Sequence, residues 1–342
     1  MNQNILTSGK LLDRTGNLYE AGYSTKLVKT YNREDIKAGK LRIKEWDYYY
    51  VGNDDCGIAL TIADNSYMGL GSVSVLDFKK KTFITKSVMT LFPMGKTNLP
   101  STSVEGDVSF DTKKLKIVFE NNGISRKLKC TFKKFKNGLD LNCDIELFEE
   151  PNDSMVIATP FKKRKHFYYN QKINCMRAQG SATIGGKRYA FLPKNSFGVL
   201  DWGRGVWTYK NTWYWASLSG ESLGKKVGFN FGYGFGDTSK ATENMIFYDG
   251  KAYKVDEVTF DIPKNEKGKD DFMSPWKITS NDGSVDLTFE PIIDRKDHTN
   301  VLVIQSLQDQ VFGKYSGTLK INNKELKIDN LTGFAEKVRN KW

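Results

Sequence analysis

Histidine is almost missing from this chain: His166 and His298 are the only two in 342 residues. A Ser/His/Asp triad would have to use His166, in a basic segment, or His298, in the polar stretch DRKDHTN. The four cysteines, Cys56, Cys130, Cys143 and Cys175, stand far apart with no CxxC pair, so no structural zinc is expected. Cys130 and Cys143 fall on alternating strand patterns and read as buried free thiols. No GxGxxG opens a helix and no GxxxxGK[ST] occurs, which leaves nucleotide binding without support. No cofactor is expected. No apolar run approaches the roughly 18 to 20 residues that span a bilayer, and mean hydropathy is −0.51. The opening MNQNILTSGKLLDRTG lacks the basic head, apolar centre and small-residue cleavage site of a secretory signal. A cytoplasmic protein with no integral membrane association is the expectation.

What the chain has in abundance is alternation. In RKLKCTFKKF, Leu128, Cys130 and Phe132 face one way and Lys127, Lys129, Thr131 and Lys133 the other, and Asn137-Gly138 then turns into LDLNCDIELF as a hairpin. Comparable turn signals stand at Asn121-Asn122-Gly123, Gly185-Gly186, Asp249-Gly250, Asn281-Asp282-Gly283 and Asn322-Asn323. Many short antiparallel strands without alternating helices predict an all-β fold. Helical signals are few. REDIKAGK after Asn32 suits one turn, and Leu331 to Trp342 has a cap at Thr332 and the spacing Phe334, Val338, Trp342 of a short terminal helix. The segment Glu149 to Lys165, with two prolines and several polar residues, interrupts the pattern and divides the chain into 1–160 and 161–342. Each part has the length of a barrel of roughly eight strands.

The net charge is +12, from 52 Lys+Arg against 40 Asp+Glu. The basic residues are spread along polar strand faces, which reads as a solvated lysine-rich surface, and no nucleic-acid partner is expected.

Aromatic residues concentrate around one acid. Asn195 to Gly220 holds Asp201 with four of the seven tryptophans, Trp202, Trp207, Trp213 and Trp215, and with Tyr209 and Tyr214. With a turn placed at Lys210-Asn211, Trp213, Trp215 and Ser217 share one strand face and Tyr214, Ala216 and Leu218 the other. The rings either fill a barrel core or wall a cavity. Asp201, between Leu200 and Trp202, is either a buried acid able to donate a proton near neutral pH or a turn residue paired with Arg204. Downstream, Asn230 interrupts an apolar strand, and Glu243 and Asn244 precede the apolar MIFY. Glu243 is a candidate second carboxylate facing Asp201, and otherwise a solvated strand-edge residue.

The segments LLDRTGNLYEAGYS, RKHFYYNQKINCMRAQGSATIGGKRYAF, SFGVLDWGRGVWTYKNTWYWASLSG, VFGKYSGTL and GFAEKVRNKW together resemble the domain-of-unknown-function family numbered 2804 along nearly the full chain. More distantly, the Asp-Trp-Gly turn and Trp-rich strand are similar to the lipocalin-like superfamily of carotenoid hydratases, hydroxyneurosporene synthase and decalin-forming cyclases. That resemblance implies two tandem lipocalin-like antiparallel β-barrels and acid- or template-assisted chemistry on apolar ligands. In that superfamily the turn reads Asp-His-x-Trp-Gly, whereas Asp201-Trp202-Gly203 lacks the histidine.

The combined expectation is a cofactor-independent enzyme that acts on a largely apolar small molecule by acid-assisted hydration, isomerisation or cyclisation. Asp201 and Glu243 would carry the chemistry, and Trp202, Trp207, Tyr209, Trp213, Trp215, Asn230 and Asn244 would line the pocket. A non-catalytic carrier of a lipid or other hydrophobic metabolite needs the same barrel and rings but no proton donor.

Overall fold

The computed structural model describes residues 2–301, 304–322 and 324–341. Among these, the alternation seen in the sequence becomes two large antiparallel sheets, one of 13 strands and one of nine, with a two-stranded parallel ribbon near the start. Each sheet curls round its own core, giving two lipocalin-like barrels in tandem. Residues of alternate parity fill each interior: Leu200 and Trp202 point into the first barrel, and Ala216, Leu218, Phe229 and Phe231 into the second.

The hairpins form at their predicted turns. Arg126–Lys136 pairs with Leu139–Phe148, and Asn137 and Gly138 both take positive φ, 50° and 82°, which a two-residue hairpin turn of this kind requires. Cys130 lies directly opposite Cys143, and all four cysteines are buried and free. Asn323 of the last predicted turn lies outside the described residues. REDIKAGK forms a single 3₁₀ turn, Arg33–Asp35, capped by the Asn32 side chain.

One element differs. No C-terminal helix forms: the segment belongs to the strand Lys324–Lys341, hydrogen-bonded on one side to Ile304–Ile321 and on the other to Lys210–Ser222. Spacings of two and four leave Phe334, Glu336 and Val338 on one strand face as readily as a helix would align 334 and 338. Two flanking strands with open hydrogen-bonding edges decide between them. Trp342 lies outside the described residues.

The first sheet runs through the strand Phe197–Val206 and the second begins at Lys210. The chain changes barrels across Trp207, Thr208 and Tyr209, three residues before the turn read at Lys210-Asn211, and Thr208 and Asn211 hydrogen-bond there. Residues 149–165 carry the strand Met155–Pro160, paired inside the first sheet with Gly22–Ser24 and Phe167–Ile184. Among the described residues no helix is long and apolar enough to cross a membrane.

Candidate functional site in the seam between the barrels

The outer face of one sheet packs on the outer face of the other, so strands on both sides of this seam are buried twice. On the first barrel, Phe167–Ile184, Phe197–Val206 and Ile43–Gly52 lie side by side, and their register places Lys172, Asp201 and Tyr48 in one row across the three. On the second, the register aligns Gly232, Trp215, Glu336 and Gln310 across four strands. The two rows meet. Lys172 Nζ stands 3.7 Å from the centre of the Trp215 ring and 2.8 Å from Asp201 Oδ2, and Tyr48 packs edge-on to Trp215 at 6.1 Å.

Asp201 is therefore neither a free acid nor a turn cap. It is 8% exposed, ion-paired to Lys172, and accepts a 2.6 Å hydrogen bond from Asn170 Nδ2. Arg204, the alternative partner read from the sequence, points to the opposite face, into the first barrel.

Glu243 enters the same seam. Its Oε1 lies 2.6 Å from where a Cβ on Gly232 would stand, so the missing side chain makes room for the carboxyl. Asn230 Nδ2 donates to Glu243 O at 2.8 Å and to Oε2 at 3.3 Å, while Asn230 Oδ1 accepts from Trp215 Nε1 at 2.7 Å. Burial pushes the Glu243 carboxyl above its ordinary value of 4.5; Lys172 and the Asn230 bond oppose this, and the Asp201 charge adds to it. Glu336 is raised in the same way by burial, against hydrogen bonds from Trp213 Nε1 and Gln310 Nε2, both 2.8 Å, and the charges of Lys172 and Arg295. Burial likewise pushes the Tyr48 phenol up to about 12.

Of the residues singled out in the sequence, Asp201, Glu243, Trp215 and Asn230 come together here, with Trp213 joined through Glu336. Trp207 and Trp213 belong to the far end of the seam, where Trp46, Trp207, Trp213 and Phe235 pack ring on ring at 4.8 to 5.8 Å and fill the space. Gly203 makes this possible, since a Cβ there would fall 1.9 Å from the Trp46 indole. Trp202 lies on the other face of its strand, fully buried among Tyr31, Tyr169 and Arg204 inside the first barrel. Tyr209 is 43% exposed in the crossover. Asn244 spends its amide on the backbone, accepting from Gly232 N and donating to Asp256 O.

Lys172, Asn170, Tyr48, Glu336 and Gln310 were missed. FYYNQKINC does carry a signal, because Asn170, Lys172 and Asn174 recur at every second position within a run otherwise apolar except for Gln171. Glu336 was hidden by the helix reading. A β-bulge, marked by the register shift between Ile173 and Met176 and by Cys175 at φ 63°, turns Asn174 across the seam, where its Nδ2 lies 2.8 Å from Ser217 Oγ.

At the opposite end from the ring cluster the seam opens into a cleft of about 180 Å³. Tyr50, Phe197, Val199 and Phe334 wall it, and Ser217 and Ser219 line it. Ion pairs bridge the barrels at its rim, Asp54 with Lys314 and Arg177 with Glu221.

Two curled sheets joined face to face over a buried polar row define a tandem lipocalin-like protein. The chain belongs to the family described as a domain of unknown function, DUF2804, whose model matches residues 2–342. No curated protein matches it in sequence. Among solved structures it is similar to a candidate AttH from Nitrosomonas europaea, at 10% identity and TM-score 0.57, covering 90% of this chain and 97% of that one. It is also similar to kievitone hydratase from Nectria haematococca, at 12% identity and TM-score 0.52, covering 99% and 98%. At such identities the likeness is one of fold.

Proposed function

We propose that this protein is a cofactor-independent enzyme acting on a largely apolar small molecule, by acid-assisted hydration, isomerisation or cyclisation, in the seam between its barrels. The observation that supports this most is the burial of three carboxyl groups, Asp201, Glu243 and Glu336, near Lys172, with burial raising Glu243 and Glu336 in spite of Lys172, Lys254 and Arg295. Buried carboxyls raised in this way cost folding free energy and are the kind of group that catalytic sites maintain.

Glu243 is the proton donor in this reading. Its raised carboxyl favours the protonated form, and among the described residues no group donates to Oε1. The proton passes from Oε1 to one carbon of a double bond, leaving a cation on the other. Water then adds and returns a proton to Glu243, giving hydration; loss of a neighbouring C–H proton to Glu243 gives isomerisation; attack by a second double bond closes a ring, and the new cation then loses a C–H proton to Glu243. The Asp201 carboxylate stabilises the developing cation. Lys172 holds Asp201 in place. Trp202 and Asn244 have no part in this reading. That one structural neighbour is a hydratase accords with it but carries no weight at 12% identity.

The test is untargeted mass spectrometry of cell extract incubated in deuterated water with wild type, Glu243→Gln or Asp201→Asn, each verified as folded by circular dichroism. A metabolite pair that interconverts and gains deuterium with wild type, and not with Glu243→Gln, is expected. Unchanged extracts, with a small molecule retained by all three proteins, would identify a carrier instead.

A further inference from the structure

We infer that the cleft at the open end of the seam is a binding site for a compact, mainly apolar molecule that carries a hydrogen-bond-accepting oxygen, such as a ketone or ester, at its inner end. This deepens the functional reading and rests on it only in taking the seam as the place where a small molecule enters.

The walls set the apolar part. Tyr50, Phe197, Val199, Leu331 and Phe334 form the apolar part of an open cleft of about 180 Å³ whose other lining residues include Asn53, Asp54, Lys194, Asn195 and Glu221; benzene needs a cavity of roughly 150 Å³. A substituted single ring, or the end of a longer molecule, fits that space.

The lining sets the polar part. Ser217 and Ser219 occupy successive seam-facing positions of one strand. Ser217 Oγ accepts from Asn174 Nδ2 at 2.8 Å; Ser219 Oγ accepts from Cys175 N at 3.0 Å and from Asn174 Nδ2 at 3.4 Å. A hydroxyl also has one proton to give; Ser219 bonds the Cys175 thiol, while among the described residues Ser217 donates to no group. Ser217 is only 2% exposed, so its proton has little access to bulk water. The Tyr50 hydroxyl, also buried, is without a partner; it lies over Gly52 and Gly57, which face each other across the hairpin, and a Cβ on Gly52 would stand 2.1 Å from it. Two unspent hydroxyl protons, those of Ser217 and Tyr50, thus lie on residues that line the cleft. The carboxylates near its rim, Asp54 and Glu221, are already engaged by Lys314 with Thr332 and by Arg177. The protons of Ser217 and Tyr50 call for an acceptor, which an occupant brings; Asn174 Oδ1, beside the serines, is itself without a partner.

The cleft adjoins the ionised row. Val199 and Asp201, like Ser217 and Trp215, are two residues apart on their strands, about 7 Å. A molecule anchored by its oxygen at the serines therefore lies next to the Lys172–Asp201 pair.

The experiment is a titration of the full chain with two shape-matched probes, acetophenone and ethylbenzene, followed by saturation-transfer NMR and by tryptophan fluorescence. Acetophenone is expected to bind about tenfold tighter, the value of one to two neutral hydrogen bonds. Ser217→Ala/Ser219→Ala should bring acetophenone to the ethylbenzene affinity and leave ethylbenzene unchanged. Val199→Trp fills the cleft and Leu331→Trp blocks its mouth, so both probes should lose binding in whichever of these variants folds. Equal affinities for the two probes in wild type, no binding of either, or binding that survives both tryptophans would overturn the proposal. A selective cleft in a protein that leaves deuterated extracts unchanged would retain this site and remove the enzymatic reading alone.

Discussion

Two buried cation–carboxylate pairs sit on the same strand, three residues apart, and face opposite ways. Arg204 points into the first barrel and is saturated: its guanidinium donates to Asp47 Oδ1 at 2.9 Å and to the carbonyls of Trp46, Gly203 and Pro100, with the Trp202 ring 4.3 Å away. Asp201 points into the seam, where its partner Lys172 meets one carboxylate and one ring face, and where burial outweighs the cations and hydrogen bonds around Glu243 and Glu336 and raises both carboxyls. The first pair ties the loop containing Pro100 across the barrel. The second holds charge that packing does not require. Saturation fits a structural pair, and the raised carboxyls beside the second pair are what the proposed function rests on.

The comparison breaks first at Gly203, between the two pairs. Gly203→Ala puts a methyl within the Trp46 ring and should cost about 3 kcal/mol or more, the upper range for overpacking; urea denaturation would measure it, and a small loss would mean that the ring cluster can yield. Next come the pairs themselves. Lys172→Met leaves three carboxylates without their common cation and should cost about 3 kcal/mol, with Lys172→Met/Asp201→Asn recovering a large share. Arg204→Met/Asp47→Asn should recover little over Arg204→Met, because the carbonyls of Pro100, Trp46 and Gly203 stay unpaired. Equal recovery in both double mutants would erase the distinction drawn here.

A smaller effect concerns pH. Folding raises the Glu243 carboxyl above 4.5, so the folded chain binds more protons than the unfolded one between that value and the raised one. Stability should therefore fall as pH rises through this window. Glu243→Gln should flatten the fall and change stability at pH 7 by no more than about 1 kcal/mol; denaturation midpoints from pH 4 to 8 would decide it, and a slope as steep as wild type would assign the titration to Glu336. Tyr209→Ala, exposed in the crossover, should shift stability by less than about 0.5 kcal/mol.

The hairpins were legible because their information is local: period-two alternation and Asn-Gly or Gly-Gly turns fix strand, face and reversal within ten residues. The terminal strand was not, since a spacing of four between Phe334 and Val338 satisfies both periodicities and only neighbouring strands with unpaired backbone groups choose one. At the site, the sequence located Asp201 and its rings and named Glu243 as a candidate partner. It misjudged Trp202, because adjacent residues of one strand face opposite sides, and Trp202 answers to the barrel interior while Asp201 answers to the seam. Lys172, Tyr48 and Glu336 lie 29, 153 and 135 positions from Asp201. The sequence by itself determined an all-β chain and where most of its hairpins turn, consequences of short-range sterics and alternation. Only the tertiary structure decided which outer faces meet, because that depends on the register of seven strands from two sheets. That meeting puts one lysine among three carboxylates and out of water, where charge acquires chemical meaning.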